Sequence, residues 1–159
     1  MSASFEIARP RLYLDVDGVI IAKASPFETV RLPDFGGDYA PEVVRRLGAT
    51  GLDLVWLTTQ ENEALELAER IDGLRDGRVL ELDRQAGSQI AWKLRALIGD
   101  QADSPSPFVW VDDLITPKAR RVVAERLSVP SLVVQTAGKI GLNEPQLASI
   151  EQFARTHAK

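Results

Sequence analysis

The sequence predicts an α/β fold in which helices cover both faces of a mainly parallel, five-stranded sheet. Short apolar runs alternate along the chain with segments of helical periodicity. The run over residues 52–57 is almost continuously apolar, which is typical of a strand buried on both faces. Strict alternation of the two element types implies parallel neighbours joined by right-handed helical crossovers. The length of 159 residues favours a single domain over 1–159, with residues 1–9 the least firmly held.

The five predicted strands are short and rich in branched or aromatic residues. The second one is the clearest, because its apolar run is interrupted by a single charged residue, Asp53. In chain order the predicted strands occupy residues 11–16, 52–57, 78–82, 108–111 and 131–134.

The five predicted helices are marked by their starting signals. Pro41 suits a first helical turn, Ser88 is a good N-cap, and Thr116 is a cap followed by proline. Asn143 with Gln146 has the spacing of a capping box. The predicted helices occupy residues 41–47, 61–71, 88–98, a segment starting at 116–117, and 143 to about 154.

The segment 20–38 is predicted to be an irregular loop. Its prolines and glycines, Pro26, Pro33, Gly36 and Gly37, limit regular structure. A helix, a strand and a helix fill the interval from Thr59 to Lys93. Neither interval has room for a separate domain covering the sheet, so we expect an open site.

Composition excludes several classes of chemistry. The chain has no cysteine, and its single histidine, His157, lies in what reads as a solvated polar tail. Thiolate nucleophiles, disulfides and sites built from several histidines are therefore absent, and any metal must be held by oxygen ligands such as those of Mg²⁺. The net charge of −4 argues against bulk binding of nucleic acid or acidic membranes. The chain shows no secretion signal and no apolar run of spanning length, so we expect a cytoplasmic protein.

Acidic residues follow the first predicted strand. Asp15 and Asp17 lie at its carboxyl end, where ligands bind in sheets of this kind. Two neighbouring carboxylates repel each other, and a divalent cation relieves that repulsion. An ordinary acidic turn has the same composition, and the segment alone leaves this open. A calcium-binding loop is excluded, because three of its required positions hold Val19, Ile20 and Pro26.

Polar residues also follow the second and fourth strands. Thr58 offers a hydroxyl that can bind a phosphate oxygen or cap a helix. Asp112 and Asp113 resemble the acid of a nucleotide-binding site, but the chain has no Gly-x-x-x-x-Gly-Lys-[Ser/Thr] loop. Lys93 borders an apolar helical stripe and is either solvated or directed towards the sheet edge, with Arg95 as its competitor.

These pieces occur in a fixed order: residues 14–18, residues 55–58, Lys93 and residues 109–113. The series resembles the four motifs of the haloacid dehalogenase-like (HAD) superfamily over roughly residues 12–134. A closer resemblance, carried by residues 92–93, 108–113 and 141–142, is to small actinobacterial-type members. The resemblance implies a Rossmann-like, three-layer α/β/α sandwich without a cap domain.

The resemblance also implies a role for each matched residue. Asp15 would be the nucleophile and a metal ligand. Asp17 would be the general acid and base, with its backbone carbonyl on the metal. Thr58 would bind the transferred phosphoryl group, and Lys93 would hold Asp15 and the phosphoryl charge.

The acidic pair and the activity complete these implications. Asp113 matches the metal-binding acid better than Asp112, which would be a supporting or alternative ligand. The implied activity is a Mg²⁺-dependent phosphatase acting on a phosphomonoester. A phosphotransferase and a non-catalytic regulatory module that binds metal and phosphate are the alternatives. An open site suits a macromolecular substrate such as a nucleic acid end, or a small molecule if a homodimer partner supplies the lid.

Overall fold

The structure, a computed structural model, describes residues 8–74 and 76–158. Residues 1–7 of the segment expected to be loosely held lie outside this range. In chain order the strands are β1 (Arg11–Leu14), β2 (Ile21–Ala22), β3 (Val30–Leu32), β4 (Gly37–Tyr39), β5 (Asp53–Trp56), β6 (Arg78–Val79), β7 (Phe108–Asp112) and β8 (Ser131–Gln135). The helices are α1 (Pro41–Ala49), α2 (Glu63–Arg70), α3 (Gln89–Asp103), α4 (Pro117–Arg126) and α5 (Glu144–His157).

The main sheet has five strands in the order β6-β5-β1-β7-β8, and every pairing is parallel. This confirms the predicted α/β fold with β1 at the centre. Leu14 is level with Trp56 of β5 and with Val111 of β7. The chain therefore leaves three adjacent strands at the same edge of the sheet.

Alternation along the strands separates two apolar layers. Leu12 and Leu14 of β1 pack into a layer with α1, α2 and α5, whereas Tyr13 between them packs into a layer with α3 and α4. Trp56 and Trp110 are fully buried on these opposite faces, as expected for core residues. Because successive side chains of a strand point to opposite faces of the sheet, one apolar strand supplies side chains to both layers.

The segment 20–38 differs from the irregular loop that the sequence predicts. Strands β2, β3 and β4 form a small antiparallel sheet in the order β2-β4-β3. Gly36 ends a short helical turn with a φ of 70°, and Gly37 packs so closely on Ile21 that a Cβ there would lie 2.5 Å from its side chain. The glycines therefore permit this sheet instead of preventing it.

Several element boundaries also differ from the prediction. β1 ends at Leu14, because Val16 accepts three hydrogen bonds in the following turn. β6 has two residues only, and α3 continues to Asp103. α2 begins at Glu63, after a turn in which Glu61 has a φ of 49°. His157 belongs to α5, where its ring packs on Phe153 at 4.3 Å, so it is not a tail residue.

None of the helices in the described ranges is long and apolar enough to cross a membrane.

Two helical glycines provide a test of packing. A Cβ on Gly48 in α1 would lie well under 3.0 Å from the backbone carbonyl oxygen of Gly73, whereas nothing lies within 4 Å of a Cβ on Gly99 in α3. We expect Gly48→Ala to lower the free energy of unfolding by about 1–3 kcal/mol through overpacking. Gly99→Ala should raise it by about 0.5–1 kcal/mol through helix propensity. Urea denaturation measures both, and equal effects of one sign would contradict this packing.

Candidate active site

The candidate site lies at the carboxyl edge of the main sheet. Asp15 immediately follows β1, and its backbone N–H donates to the carbonyl of Val111 at 3.2 Å. Asp112 is the last residue of β7. Thr58 follows β5 and is 1% exposed. The register of the three strands thus brings residues that are 43 to 97 positions apart to one place.

Lys93 connects two of these strands through its ammonium group. The Nζ atom lies 3.0 Å from Oδ2 of Asp15 and 2.6 Å from Oδ2 of Asp112. Lys93 is 1% exposed and Asp112 is fully buried, so water cannot screen these interactions. The lysine reaches the sheet edge as the sequence suggested, while Arg95 instead donates to the carbonyls of Asp83 and Ala86.

Three carboxylates gather beside this lysine. Asp15, Asp112 and Asp113 each offer one oxygen, and these atoms lie within 4.8 Å of one another. Three carboxylates and one ammonium group leave a formal charge of −2 when all are ionised. A divalent cation with a preference for oxygen ligands, such as Mg²⁺, matches both the donor atoms and this charge.

The charge imbalance affects proton binding. Burial, and next the charge of Asp112, raise the pKa of Asp15 to about 7, although Lys93 opposes this. Burial and the charge of Asp112 also raise the pKa of Asp113. Burial alone would lower the pKa of Lys93, but Asp15 and Asp112 outweigh it and the pKa is raised. The ammonium form of Lys93 is therefore firmly held, while the carboxylates carry uncompensated charge.

Two glycines make room for Asp113. A Cβ on Gly18 would lie 2.5 Å from Oδ2 of Asp113, and one on Gly138 would lie 2.8 Å from the same atom. Gly18 also has a φ of 77°, which L side chains rarely adopt. Thr136 fixes this turn, because its hydroxyl donates to the carbonyl of Gly18 at 2.6 Å. Glycine at both positions thus leaves space for the Asp113 carboxylate.

The fourth part of the site is a turn after β5. Oγ1 of Thr58 accepts a hydrogen bond from the backbone N–H of Gln60 at 3.2 Å. The side-chain amide of Gln60 donates to Oδ2 of Asp17 at 2.8 Å. Asp17 itself is exposed. Its carboxylate is not part of the group formed by the other three acids.

The structure therefore brings together most of the residues that the sequence singled out. Asp15, Lys93, Asp112 and Asp113 form one contiguous group, and Asp17 is linked to Thr58 through Gln60. Gln60 was not identified from the sequence, although it lies two residues beyond Thr58 at the same sheet edge. Extending the search for polar residues past the first position after each strand would have included it.

A family model described as the HAD domain in Swiss Army Knife RNA repair proteins matches residues 11–147. The chain belongs to this family. The match places it in the HAD superfamily, whose members are generally hydrolases and typically use Mg²⁺. The resemblance to actinobacterial members stays a prediction.

One curated relative matches part of this chain. The ribose import ATP-binding protein RbsA 2 of Mesorhizobium japonicum is 29% identical over 100 residues, which are 63% of this chain but 18% of that protein. The chain thus spans less than a fifth of the relative that it matches. No solved structure matches the chain.

The raised pKa of Asp15 predicts a dependence of stability on pH. Its pKa moves from an ordinary 3.8 to about 7 on folding. Between about pH 4 and 7 the unfolded chain has released this proton while the folded chain keeps it, so rising pH favours unfolding. In EDTA at pH 8 we expect Asp15→Asn to melt several degrees above the unsubstituted protein, corresponding to a few kcal/mol.

The same experiment contains its own controls. The difference in melting temperature should shrink as the pH falls to 4 and below, where Asp15 becomes protonated in the unfolded chain as well as in the folded one. Mg²⁺ should stabilise the unsubstituted protein more than the variant, because it binds the native carboxylates. A variant that melts below the unsubstituted protein at pH 8 without metal would contradict the unfavourable ionisation of Asp15.

Proposed function

We propose that this HAD domain is a Mg²⁺-dependent phosphomonoester hydrolase in which Asp15 is the nucleophile. The observation that carries the proposal is the position of Lys93, whose buried ammonium group touches both Asp15 and Asp112 beside Asp113. An anionic nucleophile approaching an anionic phosphoryl group needs positive charge held in advance, and this lysine supplies it. Membership of a generally hydrolytic superfamily supports the same conclusion.

The proposed reaction has two steps. A carboxylate oxygen of Asp15 attacks phosphorus, the bond to the leaving oxygen breaks, and an aspartyl-phosphate forms. Asp17 gives a proton to the leaving oxygen. In the second step Asp17 takes a proton from water as that water attacks the aspartyl-phosphate. Thr58 holds the phosphoryl oxygens through its hydroxyl and backbone amide.

We propose Mg²⁺ ligands from Asp15, Asp113 and the backbone carbonyl of Asp17, with Asp112 in support. Both oxygens of Asp112 already accept hydrogen bonds, from Lys93 at 2.6 Å and from the N–H of Leu114 at 2.8 Å. Asp113 is less buried than Asp112 and lies in the space left by Gly18 and Gly138, which favours it as the principal acidic ligand. When bound, the metal supplies positive charge to the transferred phosphoryl group.

We further propose that the phosphate is carried by the end of a nucleic acid. The matching family is described from RNA repair proteins, and Asp17 is exposed, so a bulky leaving group has access. A hollow of about 580 Å³ on the small sheet is lined by Lys23, Thr29 and Arg31. Neither cation forms an ion pair within the described ranges. They offer local positive charge on a chain of net charge −4.

The remaining predicted properties belong to this proposal. The enzyme would act in the cytoplasm. It would not bind a membrane, and a homodimer partner would be needed as a lid only if the substrate were small. A non-catalytic module and a phosphotransferase are the outcomes against which the activity is tested.

The first test is hydrolysis of p-nitrophenyl phosphate by the purified chain. We expect turnover that requires Mg²⁺ and stops with EDTA. Asp15→Asn should lose about 10³-fold or more, because no other group replaces the nucleophile. Asp103→Asn, an exposed acid at the far end of α3, is the control and should retain activity.

The rival functions give different results in that assay. Binding of Mg²⁺ and phosphate by calorimetry without turnover on a broad phosphoester panel would indicate the non-catalytic module. Transfer of phosphate to added nucleosides or sugars in preference to water would indicate the phosphotransferase.

A second test concerns the substrate. Lys23→Ala combined with Arg31→Ala should raise KM for a 3′- or 5′-phosphorylated oligoribonucleotide about 10-fold at low salt, because two phosphate contacts are lost. Hydrolysis of p-nitrophenyl phosphate should be unchanged. Arg121→Ala with Arg126→Ala removes the same charge from α4 and serves as the matched control. Equal KM values for both double variants would contradict a polynucleotide substrate seated on the small sheet.

A further inference from the structure

We propose that Gln60 is a positioning residue that sets the direction of the Asp17 carboxylate. This inference rests on the proposed function, in which Asp17 is the general acid and base. The side-chain amide of Gln60 donates to Oδ2 of Asp17 at 2.8 Å, and its backbone N–H donates to Oγ1 of Thr58 at 3.2 Å. One residue thus ties the proton donor to the residue that holds the phosphoryl group.

Asp17 requires such a partner because of where it lies. It is exposed, and it occupies the turn after β1, beyond the buried part of the strand. Within the described ranges, Gln60 is the residue whose side chain bonds the Asp17 carboxylate. A general acid must point at the leaving oxygen to within a few tenths of an ångström, and a free surface carboxylate rotates among several rotamers. The bond from Gln60 selects one of them.

The turn that carries Gln60 is itself held in an uncommon conformation. Glu61 has a φ of 49°, a left-handed value that non-glycine residues adopt rarely and at a cost of about 1 kcal/mol or more. The backbone N–H of Glu61 donates to the carbonyl of Thr58 at 3.2 Å, so a hydrogen bond also closes this turn.

Arg84 supports this turn from the loop before α3. Its guanidinium donates to the carbonyl of Thr59 at 2.7 Å and to the carboxylate of Glu61 at 2.6 Å. It also lies 5.6 Å from the centre of the Trp92 ring. Trp92 precedes Lys93 in α3. Arg84 therefore connects the turn that carries Gln60 to the part of α3 that carries Lys93.

Gln60 acts through Asp17, so its effect must follow the need for a proton on the leaving group. An alkyl or ribose phosphate has a strongly basic leaving oxygen and depends on protonation. A nitrophenolate ion leaves readily without it. A merely structural contact would alter both substrates equally.

The test compares kcat/KM for these two substrate types in Gln60→Met, which keeps the length of the side chain and removes the donor. We expect a loss of about 10- to 100-fold for an alkyl phosphate and less than about 3-fold for p-nitrophenyl phosphate. Gln60→Leu, which also removes the donor and adds no charge beside Asp17, should show the same selectivity. Gln85→Met, an exposed glutamine in the loop before α3, is the matched control and should change neither value.

A double-mutant cycle with Asp17→Asn completes the experiment. If Gln60 acts through Asp17, Gln60→Met should have little further effect once Asp17 has been replaced. Thermal melting of each variant distinguishes a loss of folding from a misdirected Asp17 carboxylate, and Gln60→Leu is the alternative if Gln60→Met is unstable. Equal losses on both substrates, or full additivity in the cycle, would overturn the role of Gln60 while leaving the hydrolase intact. Absence of turnover in the unsubstituted protein would overturn both.

Discussion

The buried ammonium group of Lys93 is the interaction on which the rest of the site depends. Two carboxylates, Asp15 and Asp112, leave adjacent parallel strands at the same level, and both would be costly to bury without a cation between them. One lysine compensates only part of the negative charge once Asp113 is included. The remaining imbalance suits a divalent cation, and under the proposed function this cation and Lys93 would together offset the charge of a phosphoryl group. The same arrangement therefore serves burial and chemistry.

Much of this could be predicted from sequence because the relevant rules are local and periodic. Apolar runs alternating with capped helices predicted a parallel sheet. The polar residues at the carboxyl ends of its strands, Asp15, Thr58 and Asp112, were then expected at one edge of that sheet. The order of the motifs supplied the pairing of Lys93 with Asp15. Its second bond, to Asp112, was not foreseen, because sequence order does not specify which oxygen a lysine reaches. The two apolar layers follow from the alternation of side chains along each strand.

Two other features could not be predicted from the sequence pattern: the small antiparallel sheet and the contact between Gln60 and Asp17. The strands β2, β3 and β4 have two or three residues each, too few to show an alternation, and the glycines among them indicate a loop equally well. The link between Gln60 and Asp17 joins residues 43 positions apart through side chains. The next residue, Glu61, has a left-handed conformation, which its side-chain type disfavours. Propensity scales average over such exceptions, so they miss the positions where function has overridden local preference.

The parts of the molecule that the sequence predicted are those proposed to carry out the reaction. The parts that it did not predict are those expected to select the substrate. Asp15, Asp112 and Asp113 lie at the carboxyl edge of the regular sheet and Lys93 lies in α3, where packing fixes them closely. Under the proposed function, any phosphomonoester would present them with the same phosphoryl group. In the proposed reaction the leaving group would project towards exposed Asp17. The small sheet lies next to Asp17 through the bridge between Asp17 and Ile21, and the turn held by Arg84 contacts it through Gln60. The exposed residues of these segments, such as Lys23 and Arg31, can change without disturbing the core. Under the proposed function, we therefore expect selection among substrates to act through them, beside the group that protonates the leaving oxygen.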